Sequence, residues 1–275
     1  MHATDLARAR DALASADALL IGAGAGMGVD SGLPDFRGDR GFWKAYPPYA
    51  ELGLSFVEMA NPAGFARDPA FAWGFYGHRL ALYRETEPHR GFELLRRFGA
   101  SLRHGAFVYT SNIDGHFQAS AFDASRVVEC HGTLQYLQCT EPCSAEIWEA
   151  PAEDVVVDMT TMRAHGPLPD CPRCGAVARP NVLMFGDWSW VSDRTGAQER
   201  RLQTWLGTSF EHLVIIEMGA GTAVPSVRHT SEAVARAKGG TLIRINPREY
   251  DVPAGHVGLA TGALEALEAL LSGKD

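Results

Sequence analysis

Apolar residues along this chain fall into short blocks, and the blocks predict its elements. From Ala3 to Ala16 they recur at Leu6, Ala9, Leu13 and Ala16, the spacing of one helix face. Ala18-Leu19-Leu20-Ile21 is wholly apolar and stops at the glycine-rich run Gly22 to Gly28. A strand buried on both faces of a parallel sheet has that character, and the glycines mark the loop that leaves it. Four further runs behave alike. Ala106 to Thr110 ends at Ser111-Asn112, and Arg126 to Cys130 ends at His131-Gly132. Leu213 to Ile216 ends at Glu217-Met218-Gly219, and Thr241 to Ile245 ends at Asn246-Pro247. Helical segments are predicted at Gly91 to Phe98, Thr230 to Lys238 and Ala263 to Leu271, the last with Leu264, Leu267, Leu270 and Leu271 on one face. The alternation predicts an α/β fold: a doubly wound parallel sheet with ligand loops at the strand ends.

Two stretches break the rhythm and read as insertions. Asp39 to Pro88 is rich in aromatics and prolines, with a helix predicted over Ala70 to Arg84. Gln135 to Pro180 holds four of the five cysteines.

Composition narrows the class. The chain has 275 residues, 46% hydrophobic and 21% charged, an ordinary globular profile long enough for a sizeable core. Its 25 Lys and Arg against 33 Asp and Glu give a net charge of −8. That argues against direct nucleic-acid binding, which needs clustered cations. No apolar run approaches the roughly 20 residues of a membrane helix. Met1 to Asp17 lacks the apolar stretch of a signal peptide, so a cytoplasmic location, away from membranes, is expected. Thiols there stay reduced, and paired cysteines then suggest metal.

Four motifs could carry chemistry. The glycines from Gly22 to Gly28 let a backbone approach a pyrophosphate, or form a plain turn. The loop runs on into Asp35-Phe36-Arg37-Gly38, which offers an aromatic ring and a guanidinium suited to phosphate. Asn112 and Asp114 leave the second strand two residues apart, placed to orient a water or a carboxamide, or to cap a helix. His131 follows the third strand, where it could serve as a general base or as a backbone-bonded loop histidine. Cys139 and Cys143 are spaced C-x3-C, and Cys171 and Cys174 C-x2-C. Four such thiolates satisfy a closed, structural zinc site, with disulfides or a redox pair as alternatives. Pro142 and Pro172 favour knuckle-like turns in the pairs.

In their order these motifs resemble the sirtuins, the NAD-dependent protein deacylases, from about Ala18 to Leu271. Gly24-Ala25-Gly26 leads into Ser31 to Gly38. Asn112-Ile113-Asp114, His131-Gly132, two cysteine pairs, Arg179-Pro180-Asn181-Val182, Phe185-Gly186-Asp187 and Asn246-x-x-Glu249 follow. The resemblance implies a Rossmann-like NAD domain (1–38, 91–134 and 180–275). It also implies a smaller domain made of a helical module with the cofactor loop (39–90) and a zinc-binding module (135–179). It implies one structural zinc ion on the four cysteines and an acyl-lysine peptide entering between the domains. His131 is then the base that activates a ribose hydroxyl, and Asn112 and Asp114 line the nicotinamide side beside Ser111. Asp35, Phe36 and Arg37 lie on the cofactor loop. Gly219, Ala220, Gly221, Thr222, Asn246 and Glu249 belong to the adenosine half. Val182, Phe185, Gly186 and Asp187 meet the peptide as an added strand. The acyl oxygen attacks the ribose carbon as nicotinamide leaves, and the products are free lysine and O-acyl-ADP-ribose.

Within that resemblance, Ala60 followed by Tyr76-x-x-Arg79 matches the sirtuins that remove succinyl, malonyl or glutaryl groups. A small Ala leaves room, and a phenol with a guanidinium can bind a carboxylate. The alternative is that Phe75 and Tyr76 are core aromatics and Arg79 a surface charge. The chain departs from the family at Ala23, Gly28, Ser111, Ala220, Gly221 and Asp187, each a changed hydrogen-bonding group. Two other functions remain open on the same fold: NAD glycohydrolysis or mono-ADP-ribosyl transfer, and non-catalytic NAD sensing.

Overall fold

The computed structural model describes residues 2–34, 38–141 and 143–272. The chain opens with α1 (Ala3–Ser15) and β1 (Ala18–Ala23), followed by five helices: α2 (Gly38–Ala45), α3 (Pro47–Glu51), α4 (Phe56–Met59), α5 (Ala63–Arg67) and α6 (Pro69–Glu85). The α/β rhythm resumes with α7 (Arg90–Ser101), β2 (Ala106–Thr110), α8 (His116–Ala119) and β3 (Val127–Glu129). A second insertion supplies β4 (Gly132–Cys139), β5 (Ile147–Glu149), β6 (Val156–Asp158), β7 (Arg163–His165) and β8 (Ala178–Val182). The chain then returns through α9 (Asp193–Leu206), β9 (Leu213–Met218), α10 (Ser226–Lys238), β10 (Thr241–Ile245), β11 (Val257–Leu259) and α11 (Ala263–Leu271).

Six strands form one parallel sheet in the order β11-β10-β9-β1-β2-β3. Every residue of β1 and β9 is buried, which is why both read as continuous apolar runs. One face packs on α1, α7 and α11, with Leu13, Leu95 and Leu267 in that core. The other face packs on α9 and α10 through Leu202, Trp205 and Val234. No helix of the described residues is long and apolar enough to cross a membrane.

Both insertions contribute to one further core, with Phe75 and Tyr76 from α6 packed among Leu137, Met162 and Ala178. Helix α6 begins where Asp68 accepts a hydrogen bond from Phe71 N at 3.2 Å and Pro69 fills the first turn. The hairpin β6–β7 lies against it. A Cβ on Gly74 would stand 1.9 Å from the Met162 carbonyl oxygen, so only glycine allows this approach. Arg163 of β7 forks onto Asp68 with both bonds at 2.8 Å, and Trp73 Nε1 donates to the Ala178 carbonyl at 2.9 Å.

One expectation needs correction, and some elements were not foreseen. Glu217 does not end its strand, because β9 continues through Met218. Its carboxylate stays buried because Arg244, its register partner on β10, donates to it twice. Helix α9 went unpredicted: its sequence is polar, and its apolar face is carried by Leu202, Trp205 and Leu206 alone. Strand β11 is three residues long, too short for a periodic signal.

Candidate active site

The order of the sheet reverses at β1, which lies between β9 and β2. Ligands of doubly wound sheets bind at the carboxyl ends of the strands at such a point. Main chain closes this crevice. Gly24 N donates to Met218 O at 2.9 Å, Gly26 N to Gly219 O at 3.0 Å, and Gly219 N to Ile245 O at 3.0 Å. A Cβ on Gly24 would stand 2.7 Å from Ala220 Cα. A Cβ on Gly219, at φ +59°, would stand 2.4 Å from Gly26 Cα. The loops after β1 and β9 therefore touch with no side chain between them, a cradle that suits a dinucleotide pyrophosphate.

The loop after β10 braces this cradle. Asn246 donates to Ala220 O at 3.1 Å and accepts from Arg248 N and Glu249 N, each at 3.0 Å. The Thr222 hydroxyl donates to the Glu249 carboxylate. Gly219, Ala220, Gly221, Thr222, Asn246 and Glu249 thus form one cluster against Gly24, Ala25 and Gly26. Asp35, Phe36 and Arg37 lie outside the described residues.

His131 stands between β3 and β4. Its ring donates to the Ser111 carbonyl, and its Nε2 lies 3.3 Å from the Ser226 hydroxyl at the start of α10. Burial holds its pKa below the ordinary histidine value of 6.5. Ser111 N donates to Ala23 O at 3.0 Å and Asn112 N to Thr110 Oγ1 at 3.0 Å, which pins the segment after β2 beside the glycine loop. Asp114 is buried, and its Oδ1 accepts from His116 N at 2.9 Å. It does part of a cap's work, although Gly115 holds the cap position of α8. Burial pushes the Asp114 pKa up, while His116 and Arg79 pull it down.

The segment after β8 ties the His131 loop to the helical insertion. Val182 is buried and pairs with Gly132. Leu183 N donates to His131 O and Phe185 N to Ala60 O, both at 2.9 Å. Phe185 is 36% exposed, and Gly186 turns the chain at φ +67°. The Asp187 carboxylate is fully buried and forked by Arg179 at 2.7 and 2.9 Å. Its side chain is therefore committed to the fold, which leaves backbone and the Phe185 ring to meet a ligand there.

Arg79 is no surface charge: it is 6% exposed. Its guanidinium donates to Tyr83 Oη at 2.6 and 3.1 Å and lies 5.1 Å from the centroid of Phe75. Phe75 and Tyr76 are core aromatics, Tyr76 stacked on Phe65 at 5.6 Å. The Tyr76 hydroxyl is buried and has no partner among the described residues. Such a group costs about 1–3 kcal/mol unless a ligand satisfies it.

The sulfurs of Cys139, Cys143, Cys171 and Cys174 all lie within 4.8 Å of one another. Two pairs, Cys139–Cys174 and Cys143–Cys171, are 3.6 Å apart. That is far beyond a disulfide bond, and all five cysteines are free. Sulfurs bound at about 2.3 Å around a tetrahedral ion stand about 3.8 Å apart, so the group fits a structural zinc. Pro142 lies outside the described residues. Cys130 sits apart from the cluster, buried at the end of the sheet.

Two residues at these places escaped the sequence reading. Ser226 follows a loop whose length hid its closeness to His131. Tyr83 is four residues past Arg79, a helical spacing that could have revealed it.

A glycine cradle at the switch point, a half-buried histidine beside it and a four-sulfur module are the marks of a dinucleotide-binding α/β protein. The Sir2 family profile matches residues 24–211. An NAD-dependent protein deacylase of Thermus thermophilus is 32% identical over 97% of this chain and 94% of its own length. Another, of Deinococcus radiodurans, is 30% identical over 97% of this chain and 98% of its own. A solved ADP-ribose complex of a mutant Sir2 homologue superposes with a TM-score of 0.70 at 25% identity, covering 98% of this chain and 95% of the other. The chain belongs to the Sir2 family.

Proposed function

We propose that this chain, an NAD-dependent protein deacylase of the Sir2 family, removes acyl groups that end in a carboxylate from protein lysines. The observation that carries the acyl preference is that α6 carries, one turn apart, the buried guanidinium of Arg79 and the buried hydroxyl of Tyr76, which has no hydrogen-bond partner among the described residues. A carboxylate would accept from the phenol and form a charged hydrogen bond with the guanidinium. Ala60, at the end of α4, leaves room for the added carbons, and its carbonyl already tethers the Phe185 segment. Succinyl, malonyl and glutaryl groups share the chemistry this arrangement suits.

In the reaction, NAD supplies a ribose carbon that bears nicotinamide as leaving group and a ribose hydroxyl beside it. The chain supplies position and proton transfer. The glycine cradle holds the cofactor's phosphates, with Gly219 to Thr222 braced by Asn246 and Glu249. Asn112 and Asp114 orient the nicotinamide side next to Ser111. His131, kept neutral by burial, accepts the proton from the ribose hydroxyl, and the Ser111 carbonyl fixes its ring. The backbone of Val182 to Asp187 pairs with the peptide, and Phe185 adds apolar contact. Cys139, Cys143, Cys171 and Cys174 would hold a zinc ion with no open position, so the module's part would be structural.

The test is a peptide of one sequence carrying acetyl-, malonyl-, succinyl- or glutaryl-lysine, incubated with NAD, with the nucleotide products identified by mass spectrometry. O-acyl-ADP-ribose should form fastest from the acidic acyl groups. Arg79→Met should cut kcat/KM for the succinyl peptide at least about tenfold, the scale of a lost charged hydrogen bond, and spare the acetyl peptide. Much faster acetyl cleavage, with a ratio Arg79→Met leaves unchanged, sinks the acidic-acyl reading. Free ADP-ribose or ADP-ribosylated protein as the main product would point to glycohydrolysis or ADP-ribosyl transfer.

A further inference from the structure

A guanidinium that recognises a carboxylate must be aimed before the ligand arrives, and arginine has a long, flexible stem. On α6 the aim is supplied one turn away. Tyr83 stands four residues after Arg79, so the two side chains share a helix face. The Tyr83 oxygen accepts from both Nε (3.1 Å) and Nη2 (2.6 Å) of Arg79, which grips one whole edge of the fork. The flat of the fork is held too, 5.1 Å from the Phe75 centroid, 5.4 Å from the Tyr83 centroid and 6.0 Å from that of Phe56. Both residues are only 6% exposed, so water competes little for these bonds. Asp114 feels the same pair: the Arg79 charge favours its ionised form, and its own charge helps keep the Tyr83 phenol protonated.

We propose that Tyr83 is a positioning residue for acyl selectivity: its hydroxyl locks the guanidinium of Arg79 in the orientation that receives the acyl carboxylate. The assignment rests on the acidic-acyl reading above. It predicts an effect confined to acyl groups that engage Arg79. An acetyl group carries no carboxylate and is indifferent to where the fork points. A succinyl group bound by an unlocked arginine must bear the cost of ordering it, which appears in KM rather than in kcat.

Tyr83→Phe keeps the ring and removes the oxygen. With saturating NAD and matched succinyl and acetyl peptides, KM for the succinyl peptide should rise about tenfold, with kcat and the acetyl KM within about twofold of the parent. Tyr83→Met, which fills similar volume without ring or hydroxyl, should give the same split if Tyr83→Phe folds poorly, and thermal melts decide which variant is read. An equal rise in both KM values would mean a merely structural role and overturns the assignment, as does an unchanged succinyl KM in either folded variant. Arg79→Met, run alongside, separates the two readings. If it collapses the succinyl preference while Tyr83→Phe leaves it intact, the Tyr83 assignment alone falls. If Arg79→Met leaves the preference untouched, the acidic-acyl reading falls and takes the Tyr83 assignment with it.

Discussion

The crevice at β1 and β9 is walled by main chain, whereas the proposed acyl side beside α6 is walled by side chains. In the crevice, Gly24 and Gly219 are needed for what they lack: a Cβ at either meets backbone within 3 Å. On the proposed acyl side, Arg79, Tyr83 and Tyr76 would matter for the groups they carry. The first construction ties binding to the sheet itself, which is buried and rigid. The second ties it to one helix held by the β6–β7 hairpin through Gly74, Arg163 and Asp68. Damage to the crevice should therefore fall on NAD and on every acyl peptide alike. Damage around α6 should fall on acyl recognition first.

Gly219→Ala puts that division under the largest load. The new Cβ lies 2.4 Å from Gly26 Cα, and the residue keeps φ +59°, where alanine is strained. The two loops must separate, so NAD affinity measured by calorimetry should fall at least about a hundredfold. All acyl peptides should lose kcat/KM together. A variant that bound NAD normally and lost only one acyl class would break the comparison.

Gly74→Ala loads the other half. Its Cβ would stand 1.9 Å from the Met162 carbonyl, so the hairpin must lift from α6. An overpacking cost of about 1–3 kcal/mol should lower the melting temperature by roughly 2–10 °C. The peptide KM should rise while NAD affinity stays near the parent value. A loss of NAD affinity matching the loss of peptide affinity would show that the halves do not act separately.

The same division explains what could be read without coordinates. The crevice was legible because backbone sites require glycine, and glycine after an apolar run is a visible signal. The zinc cluster was legible for a related reason, since sulfur ligands have few other uses at such spacing. On the acyl side the identity of Arg79 could be read, but its burial could not. Phe75 and Tyr83 at four-residue spacing hint at ring neighbours for Arg79, but the spacing does not say that this helix face is buried. Glu217 misled for the opposite reason. A carboxylate normally ends a buried strand, and only the neighbouring strand shows that Arg244 neutralises it. Ser226 stayed hidden because its meeting with His131 depends on how the start of α10 meets the loop after β3, a relation set by tertiary packing.

His131 sits on the seam between the halves and offers the smallest and finest test. Burial lowers its pKa from 6.5 because the charged imidazolium loses solvent. A general base works in its neutral form, so activity is lost only as pH falls through this lowered value. The acid limb of kcat/KM should therefore lie below pH 6.5, and above it the rate should be flat with respect to this group. The Ser226 hydroxyl, 3.3 Å from Nε2, can donate only to the neutral ring. Removing it in Ser226→Ala withdraws support from the neutral form, so the limb should move up, by about half a pH unit for a neutral hydrogen bond. NAD affinity and the succinyl-to-acetyl ratio should both hold. A limb above 6.5 in the parent would deny His131 the role of base, and a downward shift in the variant would mean that Ser226 supports the charged ring instead.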